Sequence, residues 1–308
     1  MSAVAPRIVR RIYLANLVAQ LAIFLSGSLV RLTGSGLGCP SWPQCFPGSY
    51  VPVPEQPQAW HKYIEFSNRM LTFVLVALAL AALWAGIKHR KVLVQADLPA
   101  RPQLLALSTV PFIGTVAQAV LGGITVRTHL NPAAVAAHLL LSVVVVGGTL
   151  VLLARAAEDG DNPVTYSVGV GIRRLGQVLV VVVAAVITVG TVVTGSGPHA
   201  GDASAPRFRL NPSTLSWIHA DLVMVLCVLA VALTVLLVLS KAPRRCLRVS
   251  LELIFMIVLQ AVIGFTQYFT GLPEALVAIH VLGASVLWVA VIRIPLSLRT
   301  RGALTPTS

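Results

Sequence analysis

The sequence predicts an all-α integral membrane fold: eight transmembrane helices forming two pseudo-twofold-related four-helix bundles, with both termini cytoplasmic. Three observations carry the prediction. Of 308 residues, 56% are hydrophobic and only 11% charged, whereas a soluble domain of this size carries roughly 25% charged residues. Apolar runs long enough to cross a bilayer recur along the chain. Finally, Gln118-Ala-Val-Leu-Gly122 returns as Gln260-Ala-Val-Ile-Gly264, and in each copy a histidine, His138 or His280, follows the glutamine by 20 residues. A shared pentapeptide with a shared histidine offset marks a duplication.

In order, the spans read as about 12–32, 62–87, 104–126, 133–154, 173–194, 214–240, 248–269 and 274–295. Leu14 to Val30 is a full-length span rather than a cleavable leader. Four spans per repeat give both halves the same orientation, and helices are required because lipid offers no hydrogen bonds to the backbone. The predicted halves are residues 1–160 and 161–308, joined by a weak linker over 155–172. The formal charge of +13 does not signal nucleic acid, because the positive residues occupy alternate loops. Arg7, Arg10 and Arg11 precede the first span; Lys88, Arg90, Lys91 and Arg101 follow the second; Arg155, Arg173 and Arg174 follow the fourth. Lys241, Arg244, Arg245 and Arg248 follow the sixth, and Arg299 and Arg301 the eighth. This positive-inside pattern places the termini in the cytoplasm of a cell-membrane protein surrounded by lipid.

The first outside loop, about 33–60, opens Thr33-Gly-Ser-Gly36 and is echoed by Thr194-Gly-Ser-Gly197 after the fifth span. On that oxidising side Cys39 and Cys45 can close a small loop as a disulfide, in preference to free thiols or a metal pair.

Of seven histidines, His89, His129 and His199 read as loop residues, while His61, His138, His219 and His280 begin spans two, four, six and eight. All four imidazoles thus lie in the outer leaflet. His138 is six residues past Pro132, ~9 Å along a helix; His219 and His280 are each seven past Pro212 and Pro273. A lone membrane histidine can simply hydrogen-bond a neighbour. Two at matched depth in one bundle, His219 and His280, fit bis-histidine haem better, since zinc takes three or four protein ligands. The first half adds Glu65, one turn from His61 and costly at this depth unless it has a partner or a task. It also adds Arg31 and Arg127, which either snorkel or pair with carboxylates of a bound ligand such as haem propionates.

Thr33-Gly-Ser-Gly-Leu-Gly-Cys39 with Trp42-Pro-Gln-Cys45, Glu65-Phe-Ser-Asn-Arg69, Gln118-Ala-Val-Leu-Gly122 and the histidines at 138, 219 and 280 together resemble the haem A synthase family over nearly the whole chain. The resemblance implies oxidation of the C8 methyl of haem O to the formyl group of haem A for cytochrome oxidase. It implies His219 and His280 as axial ligands of a resident haem b, His138 as ligand of the substrate haem, Glu65 as the essential acidic residue and Cys39–Cys45 as the outside cysteine pair. Haem O synthase and oxidase assembly factors are the partners it implies. The chain departs from the family's Glu-x-x-His-Arg pattern by carrying Asn68 at the histidine position, so Asn68 and His61 are both candidates near the substrate iron. The competing functions are a non-catalytic b-type cytochrome and, more remotely, a transporter suggested by the repeats and by Gln118 and Gln260.

Overall fold

The computed structural model describes residues 4–301, so the extreme termini, whose side of the membrane the charge pattern predicts, lie outside the described residues. Its long helices are α1 (Arg7–Leu32), α2 (His61–Gln95), the pair α3 (Pro102–Ser108) and α4 (Val110–Arg127), α5 (Pro132–Ala156), α6 (Val170–Ser196), α7 (Pro212–Leu239), α8 (Arg244–Phe269) and α9 (Glu274–Ser297). With α3 and α4 counted together, eight segments are long and apolar enough to cross a membrane. Large side chains such as Phe73, Val181, Phe255 and Leu239 project outward, as expected where the solvent is hydrocarbon. This is an all-helical, multi-pass membrane protein.

Local chemistry sets the helix starts. Asn131 and Asn211 accept hydrogen bonds from Ala133 N and from Ser213 N and Thr214 N, and Pro132 and Pro212 occupy the first turn, where a missing N–H costs nothing. The third span is broken at Thr109: Pro111 sits in the first turn of α4 and cannot donate back into α3.

Around the first group, α1 packs on α2, α2 on α4, α4 on α5 and α5 on α1; around the second, α6 packs on α7, α7 on α8, α8 on α9 and α9 on α6. Each group therefore closes a ring, with α2 opposite α5 and α7 opposite α9. The groups meet along α1–α9, α5–α6 and α5–α9. One large apolar core joins them, running from Leu226, Leu233, Leu253 and Val291 to Leu17, Phe24 and Val143. Trp288 crosses the seam, its indole N–H donating to the carbonyl of Val143 at 2.8 Å.

Three features differ from the sequence reading. α2 continues to Gln95, so His89 is buried within a helix rather than lying in a basic loop. His199 is half-buried and its Nε2 contacts the carbonyl of Leu272 at 3.0 Å; His129 is exposed as expected. The linker is also more ordered than its composition implies. Its β1 (Val164–Tyr166) pairs antiparallel with β2 (Arg299–Arg301). Arg155 and Arg101 reach Asp161 at 2.6 and 3.4 Å, and Arg301 reaches Glu158 at 3.1 Å. Burial pushes the Arg101 guanidinium below its ordinary pKa, opposed by the nearby Asp161 carboxylate.

Candidate functional site

His138, His219 and His280 sit in the early turns of α5, α7 and α9, at the end of the bundle that also carries the Cys39–Cys45 loop. Each ring lies against a glycine of the preceding span. A Cβ added to Gly122, Gly190 or Gly264 would stand 3.3, 3.2 or 3.3 Å from Cε1 of His138, His219 or His280, tighter than ordinary contact. The last residue of the duplicated pentapeptide is thus the imidazole's seat. The Nδ1 atoms of His138 and His280 are buried without a hydrogen-bond partner, a condition normally resolved by a bound group or water, while the backbone of Val186 is within reach of His219.

On the α7/α9 diagonal the His219 and His280 rings stand 6.4 Å apart between centres, with planes at 72°. An imidazole on a ~2 Å metal–nitrogen bond has its centre roughly 3 Å from the ion, so two rings flanking one ion stand roughly 6 Å apart. The pair stands at a separation at which both imidazoles would hold one iron. No group of three or more His, Cys, Asp or Glu suited to a metal occurs among the described residues, so the donor chemistry matches a porphyrin better than a bare ion.

The first diagonal is built differently. Opposite His138 on α5, α2 offers His61, Glu65 and Asn68. Asn68 Oδ1 accepts from the Ser26 hydroxyl at 2.7 Å. His61 stacks on Trp60 with ring centres 3.9 Å apart, and its Nδ1 meets Ser35 Oγ at 3.0 Å. Glu65 is 5% exposed. Its Oε1 accepts from Arg69 Nη2 at 2.6 Å and Nε at 3.1 Å, and its Oε2 accepts from the Cys39 amide at 2.6 Å. Arg69 also donates to the carbonyls of Cys39, Ser41 and Gln44. The bonded pair Cys39–Cys45 is thereby strapped to α2, while Trp42 of the same loop lies against Gly123 of α4. A roof covers the first group.

Arg69 was not among the residues singled out from sequence, although its i+4 spacing from Glu65 was visible. Lys62 was also missed: it is buried and donates to the carbonyl of Val53 at 2.7 Å, which fastens the far side of the loop. Arg31 reaches the carbonyls of His199 and Thr194 at 2.6 and 3.0 Å, tying α1 to the loop after α6. Arg127 is exposed at the end of α4.

The glutamine offset has a physical cause in the first group. Gln118 Nε2 donates to the His138 carbonyl at 3.2 Å and to Ser142 Oγ at 2.7 Å. The second group has Ala284 at the position matching Ser142, and Gln260 lies against Gly283 with both amide atoms buried and unpartnered.

A curated relative named "Heme A synthase" from Shouchella clausii is 26% identical over 186 residues, 59% of this chain and 57% of that protein. Its namesake from Alkalihalophilus pseudofirmus is 31% identical over 147 residues, 46% of this chain and 44% of that one. One from Bacillus mycoides is 31% identical over 136 residues, 43% and 39% respectively. The chain spans about half the length of the curated relatives it matches. The family model described as "Cytochrome oxidase assembly protein" extends much further, over residues 10–292. With eight membrane-length helices inside that match, the chain belongs to the COX15-CtaA family of cytochrome oxidase assembly proteins.

Proposed function

We propose that the chain is a haem A synthase, a membrane oxidoreductase that converts the C8 methyl of haem O, through a hydroxymethyl group, to the formyl group of haem A. The observation that carries this reading is the inequality of the two diagonals. One is a plain pair of imidazoles at ligand separation; the other sets one imidazole against an amide, a buried carboxylate and a tethered roof. Residues 161–308 hold a resident haem b through His219 and His280. Residues 1–160 take haem O, with His138 as its protein ligand. When bound, haem b supplies one-electron transfer.

The remaining work falls to the chain's own side chains. Glu65, held by Arg69 and the Cys39 amide, is placed to accept a proton near the reacting methyl or to orient that methyl. Asn68, held by Ser26, would offer the substrate haem an amide rather than a second imidazole. The disulfide loop, with Trp42 against Gly123, limits water above the first group. Arg127, exposed at the mouth, is placed to meet a propionate. We place the protein in the cell membrane with both termini cytoplasmic and the disulfide outside. There it receives substrate from a haem O synthase and hands product to oxidase assembly factors.

The test is coexpression with a haem O synthase, followed by purification, haem extraction and chromatography beside a reduced-minus-oxidised spectrum. Haem b together with haem A is the expected outcome, and Glu65→Gln should retain haem b while yielding no haem A. Haem b alone from the unaltered chain would replace the synthase with a non-catalytic b-type cytochrome. A colourless protein would remove the histidine argument altogether.

A further inference from the structure

At the opposite end of the bundle from the histidines, a groove of about 690 Å³ opens between the two helix groups, with walls from α1, α5, α8 and α9. Five arginines line it: Arg7, Arg10 and Arg11 from the start of α1, Arg245 from α8 and Arg293 from α9. Its floor is apolar, with Leu14, Leu150, Val249 and Leu296 among its residues, and no carboxylate lines it.

Four of the five arginines make no ion pair among the described residues. Arg293 donates to Glu252 at 2.6 Å, and Arg245 donates to the carbonyl of Arg299 at 2.7 Å, a contact that leaves its charge uncancelled. Arg7, Arg10 and Arg11 make no ion pair among the described residues. Arg10 Nε is buried without a hydrogen-bond partner, a condition that a native structure normally resolves with a bound acceptor.

From this geometry we propose a binding site for an anionic diacyl glycerophospholipid that bridges the two helix groups. Guanidinium groups match phosphate oxygens in a planar, two-point fashion. Basic pockets between transmembrane helices are where acidic headgroups dock. The apolar floor continues the lipid-facing surface of α1, where Leu14 and Val18 are about half exposed, giving acyl chains a path away from the phosphate. A free phosphate would use the arginines and leave the leucines against water; a neutral phospholipid would use the leucines and leave the net positive charge unanswered. Because the arginines come from both groups, the lipid acts as a clamp across the seam. This inference does not depend on the haem reading.

The experiment uses the delipidated full-length protein in neutral detergent. Dioleoyl phosphatidylglycerol, dioleoyl phosphatidylcholine or sodium phosphate is added, and retained lipid is counted by native mass spectrometry beside the thermal midpoint. We expect phosphatidylglycerol to bind about tenfold more tightly than phosphatidylcholine and to raise the midpoint by mass action. Arg10→Gln with Arg11→Gln should cut that preference to about twofold or less. Arg245→Gln with Arg293→Gln, on the other wall, should do the same and keeps the test open should the first pair fail to fold. Arg90→Gln with Lys91→Gln, on the exposed end of α2, should leave it unchanged, and Glu252→Gln, which frees Arg293, should strengthen it. Equal binding of the two lipids, an undiminished preference in both groove variants, or equal protection by sodium phosphate would each overturn the proposal.

Discussion

The two diagonals occupy the same end of one bundle and share a histidine seated on a glycine, yet their surroundings diverge. Across α7 and α9, two imidazoles face each other. Across α2 and α5, His138 faces a helix whose polar groups are already engaged: Asn68 with Ser26, His61 with Ser35, and Glu65 with Arg69 and the Cys39 amide. The first arrangement suits a group that is held permanently, because nothing nearby must move for it to stay. The second suits a guest. It has fewer imidazoles, a buried carboxylate tied to the loop, and a roof fastened by side chains rather than by a helix. Two four-helix groups with the same ring of neighbours thus carry different surroundings through loop and side-chain contacts.

The comparison breaks most visibly at the ligands. His280→Ala should remove most of the tightly bound haem from the purified protein, and His138→Ala should spare it, as read by haem-to-protein ratio. Equal haem content in the two variants would erase the proposed division of labour. Next in size is Arg69→Ala, which leaves the buried Glu65 with the Cys39 amide alone and frees three loop carbonyls. It should abolish haem A formation in the coexpression assay and lower stability by about 2–4 kcal/mol, measurable in the thermal midpoint. A variant with full activity would separate the roof from the chemistry.

The glycine seats sharpen the contrast further. Gly264→Ala presses a methyl group against His280 and should weaken resident haem by about tenfold, whereas Gly122→Ala should act on haem O alone. Arg127→Ala should weaken haem O several-fold with no change in haem b; equal effects would mark it as an interfacial anchor. The smallest effect tests the glutamines. Ala284→Ser should give Gln260 the partner Gln118 already has in Ser142 and raise stability by about 1 kcal/mol. Ser142→Ala should lower it by a similar amount.

Much of the site was legible because its signals are local. The distance from a proline start to a histidine is fixed by the helix rise, so offsets of six, seven and seven from Pro132, Pro212 and Pro273 place the imidazoles at similar heights in their helices. The Gln118–His138 offset was visible as a pattern, while its cause, the bond to the His138 carbonyl, was not. Arg69 lay in plain view within the motif, but nothing local says that its guanidinium reaches three carbonyls of a loop about 25 residues earlier.

By itself the sequence determined the class, the eight spans and the place of three histidines in the early turns of their helices. Hydrocarbon admits a backbone only as helix or closed barrel, and length, hydropathy and turn residues are properties of contiguous chain. The tertiary structure alone decided which helices stand diagonal to each other and that Arg69 reaches the carbonyls of the disulfide loop. It also decided that His89 is buried, that Arg31 is spent on carbonyls at the end of α6 and in the loop after it, and that α1 and α8 bring arginines to one groove. These are contacts between residues tens to hundreds of positions apart. They are set by how helix faces pack once the chain is assembled, and no local pattern encodes them.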